Sequence, residues 1–141
     1  MGRILAIDYG TKRTGIAVTD PLRIIASGLD TVPTHNLEGW LTQYLAAEVV
    51  DIIVVGEPTR MDGTPSESAV HIEPFVARLR ARYPDRQIVR HDERFTSRLA
   101  QRAIIDGGVP KMARRDKALV DKVSAAIILQ DYMNSRQYLT I

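Results

Sequence analysis

Three acids occupy positions where folding would bring carboxylates together. Asp8 closes the apolar run Ile4-Leu5-Ala6-Ile7 and is followed by a Gly-bounded basic turn, Gly10-Thr11-Lys12-Arg13-Thr14-Gly15. Glu93 follows a strand-like segment in His91-Asp92-Glu93-Arg94, and Asp121 stands near the start of the last helical pattern. Burying a carboxylate at the edge of a core costs several kcal/mol unless something compensates it. Three that converge repel strongly in a low dielectric. A divalent cation removes that penalty, and oxygen ligands in a chain without cysteine favour Mg2+ or Mn2+ over Zn2+. Two such ions about 4 Å apart stabilise the attacking and leaving oxygens of a phosphodiester displacement. The chemistry these residues suit is metal-dependent phosphodiester hydrolysis.

Each acid also has a plainer use. Asp8 could cap its own turn, since Asp near Gly is common in turns, but its apolar strand context argues for a site. Asp92 could pair with Arg94 or Arg98, which leaves Glu93, on the other face of the strand by alternation, as the candidate ligand. Asp121 could pair with Lys117 one turn earlier, in the weaker of the two orientations. His91 reads as a packing or supporting residue, and His35 and His71 as surface residues. Trp40 and Tyr44 read as core, so no aromatic stacking platform of the single-strand-binding kind is expected.

The elements that must position these acids alternate along the chain. Residues 3–8 and 14–19 read as a hairpin punctuated by Gly10 and Gly15. Leu22 to Ile25 and Gly28 to Val32 suggest a third, edge strand. Residues 36–48 have helical spacing, with Leu37, Trp40, Leu41, Tyr44 and Leu45 on one face and Asn36 as N-cap. The continuous apolar run 51–55 fits a strand covered on both faces. Thr64-Pro65-Ser66-Glu67 opens a helix toward Tyr83, with a kink or break expected at Pro74. Residues 87–92 form the next strand, and Thr96 or Ser97 caps a helix stopped by Gly107-Gly108. A basic loop, 109–115, precedes the last helix, from about Asp116 to Ser135. On that helix Asp121 shares a face with Ala125, Ile128 and Tyr132, and Ala125 allows close approach to a sheet. Sites in open α/β sheets form at the carboxyl ends of strands, so Asp8 and Glu93 meet there if their strands are neighbours.

Composition narrows the class. The chain has 141 residues, 45% hydrophobic and 26% charged, which suits one soluble domain over 1–141. No apolar run approaches the roughly 20 residues of a membrane span, and no signal-peptide anatomy is visible, so a cytoplasmic protein with no membrane partner is expected. Residues 1–85 carry eight Lys/Arg and eleven Asp/Glu, whereas 86–141 carry eleven and six. A positive half can attract a polyanion although the net charge is only +2. Lys12, Arg13, Arg94, Lys111, Arg114 and Arg115 are the candidate phosphate contacts.

Four motifs in order carry a resemblance: Asp8-Tyr9-Gly10-Thr11-Lys12-Arg13-Thr14-Gly15; Val54-Val55-Gly56-Glu57-Pro58 with Asp62-Gly63; Asp92-Glu93-Arg94-Phe95-Thr96-Ser97; and Asp121-Lys122-Val123-Ser124-Ala125-Ala126 with Leu129-Gln130. Together they resemble the YqgF (RuvX) family, bacterial relatives of Holliday junction resolvases on the RNase H-like fold. The resemblance implies an α/β, mixed five-stranded sheet flanked by helices on both faces. It implies a metal-dependent nuclease with Asp8, Glu93 and Asp121 as its catalytic, metal-binding acids and Mg2+ or Mn2+ as cofactor. The family is associated with maturing the 5′ end of precursor 16S rRNA, which makes precursor rRNA the favoured partner, with ribosomal particles beside it. A four-way DNA junction is the alternative substrate. One departure stands out: the family usually has an apolar residue between Gly56 and Pro58, and this chain has Glu57, a candidate supplementary or outer metal ligand.

Two other function classes compete. An ATP-binding module of the actin and sugar-kinase type also opens with an acid-ended strand and Gly turn, but it needs two lobes and a second phosphate loop. A non-catalytic RNA- or ribosome-binding protein could use the same basic surface, against which stand three acids at the expected places. Monomer and homodimer both stay open, since symmetric junction cutting needs two sites and RNA trimming needs one.

Overall fold

The computed structural model describes residues 2–57, 69–92 and 117–135. Ile4, Leu5, Ala6 and Ile7 are all fully buried, so β1 (Arg3–Asp8) has no solvent face. It lies at the centre of a five-stranded sheet, between β2 (Arg13–Thr19) and β4 (Val50–Glu57). β3 (Ala26–Pro33) forms one edge and β5 (Gln87–Asp92) the other. β1–β2 and β2–β3 pair antiparallel, whereas β1–β4 and β4–β5 pair parallel. β4 therefore separates β1 from β5, and the strands ending in Asp8 and just before Glu93 are not neighbours.

Period-two alternation splits the apolar residues between two cores. Leu5, Ile7, Ile16, Val18, Ile53 and Val55 pack beneath α1 (Leu37–Ala47) and α2 (Ala69–Arg82). Ile4, Ala6, Ala17, Ile52, Val54 and Val89 pack beneath α3 (Lys117–Met133), through its Ala125, Ile128, Leu129 and Tyr132. The mixed sheet flanked on both faces matches the expectation from the sequence.

Several local expectations are corrected. The third strand begins at Ala26, not Leu22, because Asp20 turns the preceding segment. Its carboxylate accepts from the backbone N–H groups of Leu22 (3.1 Å), Ile24 (2.8 Å) and Ile25 (2.7 Å), and Arg23 takes a left-handed φ of 58°. Asn36 makes no side-chain cap: a 3-10 turn over Thr34–Asn36 leads into α1 instead. α2 continues through Pro74 without the expected break. Trp40 and Tyr44 pack against the core as expected but are half-buried, stacked on each other with ring centres 5.0 Å apart. The helix starts read at Thr64 and at Thr96 or Ser97, the stop at Gly107-Gly108 and the loop 109–115 lie outside the described residues.

Candidate metal and nucleic-acid site

The strand that carries Asp8 fixes where its carboxylate goes. Ile4 and Ala6 belong to the core beneath α3, and the same alternation turns Asp8 toward that helix. Burial and the negative charge of Asp121 raise its pKa from the ordinary carboxylate range to about 7. Two acids far apart in sequence thus sense each other at the carboxyl end of β1.

A missing side chain brings Asp121 there. Gly15 of β2 is the cross-strand partner of Asp8. A Cβ built on Gly15 would collide with the carbonyl of Asp121 and come within 3.2 Å of its Cα. The first turns of α3 therefore lie directly on the β2 backbone. Gly28 of β3 repeats the arrangement beside Lys122, at 3.2 Å. Strand interiors lose stability at glycine, and close backbone approach is the usual compensation. The sequence reading treated Gly15 only as turn punctuation; glycine inside an otherwise β-branched strand was the available signal.

The turn between Asp8 and β2 is tied down from a distance. Thr34, at the junction of β3 and α1, donates its hydroxyl to the Gly10 carbonyl (2.6 Å) and its backbone N–H to the Lys12 carbonyl (3.0 Å). That hydroxyl has one hydrogen, so in its 2.9 Å bond to Thr14 Oγ1 the buried Thr14 is the donor. Tyr9 packs against Phe75 of α2, with ring centres 4.9 Å apart. From this braced turn Arg13 reaches across to α3, and its Nε donates to Asp121 Oδ2 at 2.8 Å. Nothing in the sequence reading pointed to Thr34.

Of the residues expected at the site, Asp8, Arg13 and Asp121 converge. Lys12 lies exposed on the same turn. Glu57 ends β4, where the backbone pairs it with Asp92 of β5. Its strand position falls on the face of Ile53 and Val55, opposite the face of Asp8. Glu93, Arg94, Lys111, Arg114 and Arg115 lie outside the described residues. His91 bonds Asp131 of α3 at 2.6 Å and meets the Tyr132 ring edge-on, a supporting contact between β5 and α3. Among the described residues no three His, Asp or Glu side chains form a metal cluster. Asp8 and Asp121 nonetheless fit a hard divalent cation: both offer oxygen only, and one is buried against the other's charge.

Comparison with known proteins gives the family. Residues 2–135 match the family model described as RuvX: Holliday junction resolvase. The chain is 58% identical over 135 residues to a Porphyromonas gingivalis protein named "Putative pre-16S rRNA nuclease", covering 96% of this chain and 98% of that one. Proteins of the same name from Phocaeicola vulgatus and Flavobacterium johnsoniae are 54% and 51% identical, covering 99% and 98% of this chain and 100% of each relative.

Proposed function

This chain belongs to the RuvX family, and on that premise we propose that it is a nuclease, a hydrolase of nucleic-acid phosphodiester bonds, acting on precursor 16S rRNA at its 5′ end. The observation that carries the reading is the convergence of Asp8 and Asp121 at the carboxyl end of the central strand, over a glycine. A structural protein gains nothing from a buried carboxylate set against a second one.

Asp8 and Asp121 are the ligand pair, and Glu93 completes an oxygen-only set for Mg2+ or Mn2+. Glu93 is carried over from the motif Asp92-Glu93-Arg94-Phe95-Thr96-Ser97 that the chain shares with its family. When bound, the cation supplies an activated water and neutralises charge developing on the phosphate. Lys12 and Arg13 lie beside the acids, where they meet substrate phosphates; Arg94, Lys111, Arg114 and Arg115 extend that contact. Glu57, on the strand between β1 and β5, serves as an outer acid acting through water. The whole of 1–141 works as one domain. Among the described residues no helix is long and apolar enough to cross a membrane, and rRNA maturation places the enzyme in the cytoplasm, at ribosomal particles.

The deciding experiment incubates the protein with a structured 16S precursor RNA and with a four-way DNA junction, in Mg2+ or Mn2+, beside Asp8→Asn and Asp121→Asn. Cleavage of the RNA by wild type alone supports the reading. Symmetric cleavage of the junction alone reassigns it to DNA, with a dimer as its working form. Equal outcomes for wild type and both variants remove the enzyme.

A further inference from the structure

We propose that Arg13 is an exchangeable counter-ion: its guanidinium holds Asp121 in the metal-free protein and passes to a substrate phosphate when a divalent cation takes the carboxylate. The phosphate half of this rests on the nuclease reading above; the metal half does not. The geometry supplies each part. Arg13 Nε lies 2.8 Å from Asp121 Oδ2, with the two side chains 41% and 23% exposed, so the pair is open enough to separate. The comparable ion pair at the other end of the sheet, Arg23 with Asp51, is anchored differently: Arg23 is 14% exposed and also donates to the Gly2 carbonyl at 2.8 Å.

The backbone beneath Arg13 is held, while its side chain is exposed and tied to Asp121 alone among the contacts of the described residues. Thr34 fixes the carbonyls of Gly10 and Lys12 on one side of Arg13 and meets Thr14 on the other. Charge gives the exchange its direction. Without metal, Arg13 is the cation that pairs with Asp121 among the described residues, beside Asp8. A divalent cation neutralises both acids and repels the guanidinium. A phosphate then offers two oxygens to the planar guanidinium, the bidentate pairing that arginine suits best. Metal loading and phosphate capture are thereby coupled through one side chain.

The test is Mn2+ binding by calorimetry to the full chain, with no nucleic acid present, beside binding of the structured precursor RNA across a salt series. Arg13→Gln is expected to bind Mn2+ about two- to fivefold tighter, since an exposed ion pair no longer competes. The same variant binds RNA several-fold more weakly, with the salt slope lowered by about one. Opposite signs are the signature. Lys12→Gln removes the same charge one residue away and leaves Mn2+ affinity within about 1.5-fold, because Lys12 is not placed on Asp121. Arg13→Lys keeps the charge, and its Mn2+ affinity stays near wild type. Weaker or unchanged Mn2+ binding by a folded Arg13→Gln overturns the exchange. So does a Lys12→Gln gain as large as that of Arg13→Gln, which would make the effect a general field. If Arg13→Gln melts early, Arg13→Lys against Lys12→Gln decides: lysine binding Mn2+ as wild type supports the exchange, and clearly tighter binding overturns it. Wild type that binds Mn2+ but no RNA removes the precursor-rRNA reading while leaving the metal result in place.

Discussion

The two ends of the central strands treat charge in opposite ways. At the amino end, Asp51 accepts from the Gly2 backbone N–H (2.8 Å) and pairs with Arg23 (2.9 Å), while Arg3 donates to the Thr19 carbonyl (2.9 Å) and lies 3.5 Å from Glu48. Acids there meet cations or amides, and a left-handed Arg23 is tolerated to complete the set. At the carboxyl end, the half-buried Asp8 faces another acid, and among the described residues a half-exposed arginine balances Asp121. The first pattern stabilises a fold. The second leaves negative charge unresolved inside it, which is useful only where a cation is to be bound. The contrast separates structural from functional electrostatics on one sheet, at Asp51 and at Asp8.

The comparison breaks most readily at Asp8 and Asp121. Asp8→Asn and Asp121→Asn are each expected to lower the cleavage rate at least about a hundredfold, because metal assistance is worth several kcal/mol. Asp51→Asn is expected to leave the rate within about twofold, since its partners are structural. Rates on one RNA substrate, with circular dichroism confirming the fold, check both. A larger loss from Asp51→Asn than from Asp8→Asn would reverse the assignment of the two ends.

Gly15→Ala comes next. The new methyl meets the Asp121 carbonyl, so α3 must shift or the strand must bend. Overpacking of this kind costs about 1–3 kcal/mol. A displacement near 1 Å at a catalytic group costs about a hundredfold in rate. Loss of activity is expected to exceed what the drop in melting temperature explains, and wild-type activity would show that α3 can yield.

The pH dependence of stability distinguishes the ends directly. Asp8 has a folded pKa of about 7, above its unfolded value, so its contribution is fully present in acid and is lost as pH rises through about 7. Above that pH the metal-free protein holds a buried carboxylate ionised at a cost. Asp8→Asn is therefore expected to raise the melting temperature at pH 8 by roughly 5 °C and to leave it unchanged near pH 4. Saturating Mg2+ narrows the gap by stabilising ionised wild type. Asp20 runs the other way: backbone N–H groups lower its pKa, so its turn loses support only in acid. A flat difference between Asp8→Asn and wild type across pH would mean the site is not buried as described.

At the amino end the expected effect is smaller and purely structural. Arg23→Ala removes bonds to Gly2 and Asp51 and is expected to cost about 1–2 kcal/mol by denaturant unfolding. Arg23→Gly loses the same bonds but accepts φ 58° without strain, so it should cost less than alanine. These residues also mark where the sequence was legible. β1 and β4 were readable because strands buried on both faces are continuous apolar runs with clear ends. Asp121 and its buried helix face followed from helical spacing. The Asp20 turn was not readable, because Leu22, Ile24 and Ile25 look like a strand until one carboxylate takes their amides; all three side chains end more than 60% exposed. Thr34 was invisible for a related reason: its partners lie 20 and 24 residues away, and no local pattern announces a hydroxyl that braces a distant turn. Strand order was also beyond the sequence, so the insertion of β4 between β1 and β5 had to be seen.

That insertion makes Glu57 the smallest and most discriminating test. It ends the strand between β1 and β5, yet its position alternates to the face opposite Asp8. An acid so placed reaches a cation at Asp8 only through water or through the general field. Glu57→Ala is then expected to weaken Mn2+ binding by about two- to fivefold, with a similar effect on the rate, as for a charge acting at a distance through water. Glu57→Gln should behave alike, because charge rather than shape is lost. A drop beyond tenfold would mean that the end of β4 twists its acid into direct coordination, and the carboxyl end would then hold one more unresolved charge. No change at all would confine the site to the α3 face, with Asp8 and Asp121 as its fixed pair.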